Sequence, residues 1–589
     1  MDFNPNVFSE SQLQILDSEI AKLLAKGVIV PCHHEPHEFI SPIFLRDKKD
    51  GKHRMILNLK NLNKEMEYTH FKMETFGSIV SLVTPGSYFT KIDLQDAYYS
   101  VPIKPSDQKL LKFRHRGQLY KFTCLPNGLC KGPRMFTKLL KPALSSLREQ
   151  GATIAAYLDD SINMDKKPVK CTANSHMAVY SLDKLGFTVH PQPKSIFDPV
   201  QEIEFLGFIV NSIAMSIRLT PVKMDSLRSL CLEILNKPYP SIREVAKLLG
   251  KFTSSFPGVR FGAMHYRNLE RCKSHFLRLR KGNFDKRMSL SPDAKDDISW
   301  WIENVHGSWN QIYIPCPSIT INSDASLSGW GAVIDFISTG GFLSAEEQQE
   351  HINVLELKAI LFGLSSLIPH IRNEHIKIMC DNTTAVASVN KMGSTKSVEC
   401  DKIAKEIWEW GISRGLWFTA AHVPGIQNDE ADKESRRQEF FTEWMLDPDI
   451  FRWLCKELEF NPSIDLFASR INTQLESFVS YRPDPCCVAV NAFSIDWSNL
   501  QFYAFPPFAC IPKVIQKIRW EGAFGILITP NWSSQPWFPV VRSLAVESLL
   551  LPCRSSMLSL PNRPDLQHPM PHLRLVAHLI AGCPSGKLS

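Results

Sequence analysis

Aspartates recur where strand-like runs of this chain stop. Asp93 closes Phe89-Thr90-Lys91-Ile92, and Asp159-Asp160 follow Thr153-Ile154-Ala155-Ala156-Tyr157-Leu158. Asp324 ends Ser318-Ile319-Thr320-Ile321-Asn322-Ser323, and Asp381 follows His375–Cys380. Neighbours on a strand face opposite sides, so of two adjacent aspartates at a hairpin tip usually one becomes a direct ligand. A divalent cation such as magnesium prefers hard carboxylate oxygens and needs more than one. Phosphoryl transfer with two metals needs carboxylates brought together from separate strands. Taken singly, such an aspartate is ordinarily a solvated turn residue, so the order of the motifs carries the argument.

A chain of 589 residues exceeds one ordinary core and predicts three or four domains. With 44% apolar and 22% charged residues, most of it should fold. The formal net charge of +7 suits a nucleic-acid binder without identifying one. The fifteen Cys form no CxxC pair, and Cys486-Cys487 suits neither zinc spacing nor an ordinary disulfide; buried thiols in a reducing compartment are expected. Met1 to Glu10 is polar and acidic, unlike a signal peptide, and no apolar run is long enough for a bilayer. The expectation is a soluble intracellular protein of the cytoplasm or nucleus, not secreted and without a membrane partner.

Apolar positions at helical spacing (Leu13, Ile15, Leu16, Ile20, Leu23, Leu24) predict a helix from Gln12 to Ala25, ended by Gly27. Phe39 to Leu59 reads as two strands around the basic turn Lys48-Lys49-Asp50-Gly51-Lys52. Thr220 to Phe256 reads as helical, with an apolar face at Val245, Leu248, Leu249 and Phe252. Trp300 to Pro317 looks like a connection. A β-rich unit alternating with helices starts at Ile319 and ends near Arg437. Trp and Pro become abundant from Phe440, and the Pro-, Ser- and Leu-rich part beyond Pro552 is expected to be poorly ordered. The fold class predicted is multidomain, α+β and α/β.

The series Lys48-Lys49-Asp50-Gly51-Lys52-His53-Arg54, Ile92-Asp93 to Tyr98, Leu125-Pro126-Asn127-Gly128, Tyr157 to Asp160, and Phe205-Leu206-Gly207-Phe208 resembles the ordered motifs of reverse transcriptases. The resemblance runs from about Phe39 to Pro257 and implies a right-hand polymerase of fingers, palm and thumb. It implies that Asp93 and Asp159 are metal ligands, with Asp160 as the third member of the site. Lys48 or Lys49, with Arg54, matches the finger residues that hold the nucleotide phosphates, for which Arg offers a bidentate fork and Lys a point charge. Tyr98 matches the aromatic gate that excludes a 2′-hydroxyl, and Lys194 the lysine that protonates the leaving pyrophosphate. Leu206-Gly207 resembles the primer grip. At Asn127 many retroviral relatives carry Gln; Asn keeps the amide and shortens its reach.

Downstream, Asp324, Glu356 in His351 to Ala359, Asp381, and Asp432 in Asn428-Asp429-Glu430-Ala431-Asp432 follow one another on strand, helix, strand and final helix. This order resembles the RNase H domain, which implies that the four acids hold two magnesium ions and activate water. The small residues Ala325, Ser326, Gly329 and Gly331 fit the second strand of that fold. His422 matches a histidine linked to product release, and Asn428 a residue near the metals.

Further on, Asp465 in Phe460 to Ser469, then Phe505-Pro506-Pro507-Phe508 and Trp537-Phe538, are similar to phage-type adenine-N6 DNA methyltransferases. Phe505 stands where those enzymes carry a polar residue that bonds the target amine. Asp465 is the candidate contact for S-adenosylmethionine, but without that polar residue or a glycine-rich loop the cofactor is not expected. The whole order resembles the polyprotein of DIRS-type, tyrosine-recombinase retrotransposons. It implies a reverse transcriptase over 1–260, a connection over 261–317, an RNase H-like domain over 318–438, a Rossmann-like methylase-related domain over 439–550, and a disordered tail over 551–589. The implied cofactor is magnesium, two ions per active site, with manganese as substitute. The implied partners are RNA template, DNA primer, RNA–DNA hybrid and dNTPs, with an element-encoded tyrosine recombinase and a gag-like protein. The alternative is a domesticated or inactive copy that binds nucleic acid without catalysis.

Overall fold

The computed structural model describes residues 8–47, 53–67, 69–437, 444–554 and 556–582. The expected turn Lys48 to Lys52 lies outside the described residues. The chain divides into two compact units: 1–236 with 250–260 and 299–313, and 237–249 with 261–298 and 314–589. One break between the units falls between 260 and 261, and the expected connection over 261–317 is divided between them.

In the first unit, an antiparallel sheet runs in the order Ile196–Val200, Tyr88–Gln95, Asp160–Asp165, Thr153–Tyr157. Along Tyr88–Gln95, Ile92 and Leu94 are buried while Lys91, Asp93 and Gln95 take the alternate positions, as the period of two requires. Thr153–Tyr157 and Asp160–Asp165 form a hairpin closed by Tyr157 opposite Asp160, with Leu158 at φ 56° in the turn. The helices Gly132–Glu149 and Pro168–Lys184 contribute Phe136, Leu140, Leu144, Leu147, Ala178 and Leu182 to the same core. The expected first helix is Glu10–Ala25, capped by Ser9 and Gln12 in a reciprocal capping box, with Leu16, Ile20 and Leu23 buried. Ile43–Asp47 pairs with His53–Leu57, which places Arg54 on the second strand of that hairpin.

In the second unit, a five-stranded sheet runs Ile337–Phe342, Gly329–Ile334, Ile319–Ala325, His375–Cys380, Trp417–His422. The first two pairings are antiparallel and the last two parallel. Helix Ile352–Leu367 packs on the sheet through Leu355, Ala359, Ile360 and Leu364. Helix Asp429–Ser435 lies against a glycine surface: a Cβ on Gly331 would stand 2.3 Å from the Ala431 carbonyl and 2.7 Å from the Ser435 nitrogen.

A second sheet in the same unit runs Ile464–Asp465, Gln501–Ala504, Phe524–Pro530, Leu575–Ala581, Ala545–Leu550. Within the tail expected to be disordered over 551–589, this corrects the expectation for Leu558–Ser559 and Leu575–Ala581, which form strands. Leu575–Ala581 is an inner strand, antiparallel to both neighbours, with Leu575, Ala577 and Ile580 fully buried. The Pro- and Ser-rich stretch before it masked an apolar run that only long-range pairing completes. No helix among the described residues is long and apolar enough to cross a membrane.

Candidate active sites

Three strand ends meet at the first site. Asp93 lies opposite Asp160 in the strand register, and the Leu94 amide donates to the Asp159 carbonyl at 3.0 Å, tying the hairpin tip to the Asp93 strand. The Asp93 amide donates to Ser195 Oγ at 3.1 Å, and the His190 amide donates to the Asp93 carbonyl at 2.8 Å. Withdrawal from solvent, then the charges of Asp160 and Asp93, hold the Asp159 carboxyl above the usual range.

A cavity of about 750 Å³ opens over this point, lined by Asp93, Asp159, Arg54, Tyr98, Asn127 and Lys194 among others. Residues spread from 54 to 194 in sequence thus share one concave surface. Tyr98 is half-buried, its ring edge-on to Phe136 with centroids 5.4 Å apart. Burial, then the Asp159 charge, pushes its hydroxyl up to about 12. Asn127 Nδ2 lies 3.5 Å from the Tyr99 hydroxyl.

Asp160 faces a different partner, Lys91 Nζ at 3.1 Å. Leu206 and Gly207 both take positive φ, 49° and 78°, and form the two-residue turn between Glu202–Phe205 and Phe208–Asn211. They are not among the residues lining the cavity. Lys48 and Lys49 lie outside the described residues. Two residues of the site carry no family signal in the sequence: Lys91, and His190, whose Nε2 lies 3.1 Å from Lys194 Nζ and 3.8 Å from Asp93 Oδ1. Lys91 was legible only as the residue sharing a strand face with Asp93.

The second site brings Asp324, Glu356, Asp381 and Asp432 within electrostatic reach of one another. Asp324 and Glu356 are both 4% exposed. Burial pushes Glu356 up to about 8, helped by Asp324 and Asp381. Burial also pushes Asp324 up to about 6, with Asp381 and Asp432 adding to it and the Ser435 hydroxyl, donating to Oδ2 at 2.6 Å, opposing it. Glu356, Cys380 and Asp381 present ligand atoms that all lie within 4.8 Å of one another. The Cys380 thiol donates to Glu356 Oε2 at 3.6 Å, and Arg436 Nε pairs with Asp432 Oδ1 at 2.6 Å. Cys380, Ser435 and Arg436 were missed in the sequence, although each adjoins or closely follows a named acid. His422 is exposed at the end of its strand, opposite Cys380. Asn428 is buried and donates to the Ser323 carbonyl at 3.0 Å.

In the third region, Asp465 pairs in register with Tyr503, so its strand lies beside the one that leads into Phe505-Pro506-Pro507-Phe508. Asp465 is 2% exposed and accepts the amides of Gln474 at 3.1 Å and Phe467 at 3.3 Å. Burial pushes its carboxyl up to about 7. Phe505 packs against the core beside Phe508, which meets Trp532 edge-on at 5.2 Å. Pro506 is buried and Pro507 exposed.

Residues 46–210 match the family model for reverse transcriptase (RNA-dependent DNA polymerase). The chain is 22% identical over 458 residues to the enzymatic polyprotein of figwort mosaic virus (strain DxS), covering 73% of this chain and 62% of that protein. It is 27% identical over 205 residues to the Pro-Pol polyprotein of simian foamy virus type 1, covering 35% and 17%. Against the retrovirus-related Pol polyprotein from transposon opus of Drosophila melanogaster, identity is 26% over 241 residues, covering 40% and 22%. The chain therefore spans less than two thirds of each of these relatives. The foamy viral protease-reverse transcriptase in complex with RNA/DNA hybrid aligns with a TM-score of 0.46 and 16% identity, over 71% of this chain and 55% of that one. The chain thus contains a reverse transcriptase domain, matched over residues 46–210 and similar to those of viral and retrotransposon Pol polyproteins.

Proposed function

We propose that this protein is an RNA-directed DNA polymerase joined to an RNA–DNA hybrid ribonuclease, from a retroelement of the DIRS type. The observation that carries the reading is the shared cavity of Asp93, Asp159, Arg54, Tyr98, Asn127 and Lys194 within the segment matching the reverse transcriptase family. Crowded carboxylates raise one another's pKa unless a cation lies among them, and their hard oxygens suit magnesium, with manganese as substitute. Asp93 and Asp159, with Asp160 beside them, would hold it. Bound there, it would lower the pKa of the primer 3′-hydroxyl and neutralise the triphosphate of the incoming dNTP.

The chain's own residues do the rest by position. Arg54 would grip the nucleotide phosphates, Tyr98 would set the floor under the sugar, and Asn127 would face the nucleotide from the cavity wall. Lys194 would deliver a proton toward the leaving pyrophosphate, with His190 beside it. The Lys91 ammonium, 3.1 Å from Asp160, orients that carboxylate.

The nuclease reading rests on the four converging acids. Glu356 and Asp324, raised by burial and by their neighbours, form a donor set that favours a divalent cation over protons once one binds. Template RNA, DNA primer, the hybrid and dNTPs are the proposed partners, with 2′-hydroxyls telling RNA from DNA in the nuclease. The third region is proposed as a non-catalytic relative of methyltransferases, because an apolar Phe505 leaves the target amine without an acceptor.

The test is primer extension on an RNA template with magnesium, beside cleavage of a hybrid. Asp159→Asn is expected to lower extension by about 10²–10³-fold, the scale of losing one preorganised electrostatic group, and to spare cleavage. Asp324→Asn is expected to do the reverse. Equal extension by wild type and Asp159→Asn would sink the polymerase reading.

A further inference from the structure

Two of the four acids of the second site are placed by paired strands: Asp324 stands in register opposite Gly331, and Asp381 directly follows His375–Cys380, whose last residue pairs with His422. The other two ride on helices. Glu356 belongs to Ile352–Leu367 and Asp432 to Asp429–Ser435, and a helix on a sheet can slide or tilt unless something holds it. Helix Asp429–Ser435 has only seven residues, too short to be stable by its own propensity.

Each of these helices is met by one arginine of the C-terminal region. Arg482 Nη1 and Nη2 lie 2.7 and 3.0 Å from the two carboxylate oxygens of Glu434, two residues after Asp432. Arg482 also donates to the Ser338 carbonyl at 3.3 Å, and the Ser338 hydroxyl donates to Glu434 at 3.0 Å. One guanidinium therefore ties the Asp432 helix to the edge strand Ile337–Phe342. Next to Glu434, Ser435 donates to Asp324 at 2.6 Å, so the tie is one residue from a contact with a site acid.

Arg470 does the same for the Glu356 helix. Its guanidinium lies 4.3 Å from the centre of the Phe362 ring on that helix. It forks onto Glu347 at 3.1 and 2.8 Å and donates to the Phe342 carbonyl at 3.2 Å. Glu347 in turn faces Lys358 of the Glu356 helix at 3.5 Å. Glu347 and Glu434 are each 13% exposed, and the two arginines 22% and 25%. At that depth a bidentate pair is screened far less than a surface one. The docking is reinforced by the Ala345 amide to the Pro561 carbonyl at 2.9 Å and by Gln348 to the Asn562 carbonyl at 2.9 Å.

We propose that residues 444–582 brace the hybrid nuclease, with Arg470 and Arg482 as positioning residues that hold Glu356 and Asp432 against the sheet. This rests on the nuclease reading above. It gives the methylase-like region a purpose that needs no methyl transfer, and it explains why both arginines also bond carbonyls of the edge strand Ile337–Phe342.

Full-length wild type, Arg482→Ala, Arg482→Lys and Arg470→Ala are compared for hybrid cleavage across a magnesium titration. Primer extension by the same preparations reports overall folding. Each alanine variant is expected to need about tenfold more magnesium for half-maximal cleavage, the scale of losing a group that orients a metal ligand, while extension stays within about twofold of wild type. Arg482→Lys is expected to recover part of the loss. Amide exchange is expected to quicken in Asp429–Ser435 for Arg482→Ala and in Ile352–Leu367 for Arg470→Ala, and to stay slow in Ile319–Ala325. Unchanged exchange with unchanged magnesium dependence overturns the proposal, and so does loss of extension together with cleavage. If wild type cleaves no hybrid, the nuclease reading falls and the exchange comparison alone decides the brace.

Discussion

Tyr98 belongs to two environments at once. Its ring meets the core at Phe136, and burial, then the Asp159 charge, pushes its hydroxyl up to about 12. A phenol held by the core on one side presents a fixed wall to the cavity on the other. On the proposed polymerase reading, Tyr98→Ala should lower discrimination against ribonucleotides by about a hundredfold, while Tyr98→Phe should keep it. Competitive incorporation of matched dNTP and rNTP measures this, and equal discrimination by Tyr98→Ala and wild type would remove the gate. Tyr98 could be named from the sequence because its motif, Ile92-Asp93 to Tyr98, is local. The Lys91–Asp160 pair could not, because it depends on register between strands about 70 residues apart.

Helix Asp429–Ser435 approaches the sheet so closely that the strands beneath it have no room for side chains. A Cβ on Gly329 would stand 2.6 Å from the Ser435 carbonyl, one on Gly331 2.3 Å from the Ala431 carbonyl, and one on Gly340 3.0 Å from the Glu434 carbonyl. Gly331→Ala should therefore push the helix outward and cost about 1–3 kcal/mol, the usual scale of overpacking. Urea unfolding of the full chain would read the stability loss, and hybrid cleavage should fall with it because Asp432 moves. A variant as stable and active as wild type would show that the contact is soft. The glycines were legible as small residues suited to that strand, whereas the reason for them, a helix contributed from about 100 residues later, was not.

At the scale of the whole chain, the largest revision concerns where folding stops. Leu575–Ala581 lies between Phe524–Pro530 and Ala545–Leu550, so removing it would strip the partner from both neighbours. Amide exchange in the intact protein should be slow across Leu575–Ala581, comparable to Phe524–Pro530. Fast exchange there would restore the picture of a loose tail. The four-acid sheet and this second sheet fall within the same compact unit.

Local pattern was enough to mark the strand-end aspartates, the first helix, expected from Gln12 to Ala25, and the hairpin tip at Asp159-Asp160. Each depends on residues within a few positions, where turn chemistry and side-chain period act directly. The tertiary structure alone decided which of those acids converge, that Lys91, His190, Ser435 and Arg436 stand beside them, and that Arg470 and Arg482 reach the nuclease helices. Those outcomes depend on pairing and burial between distant segments, and no local stretch of sequence encodes them.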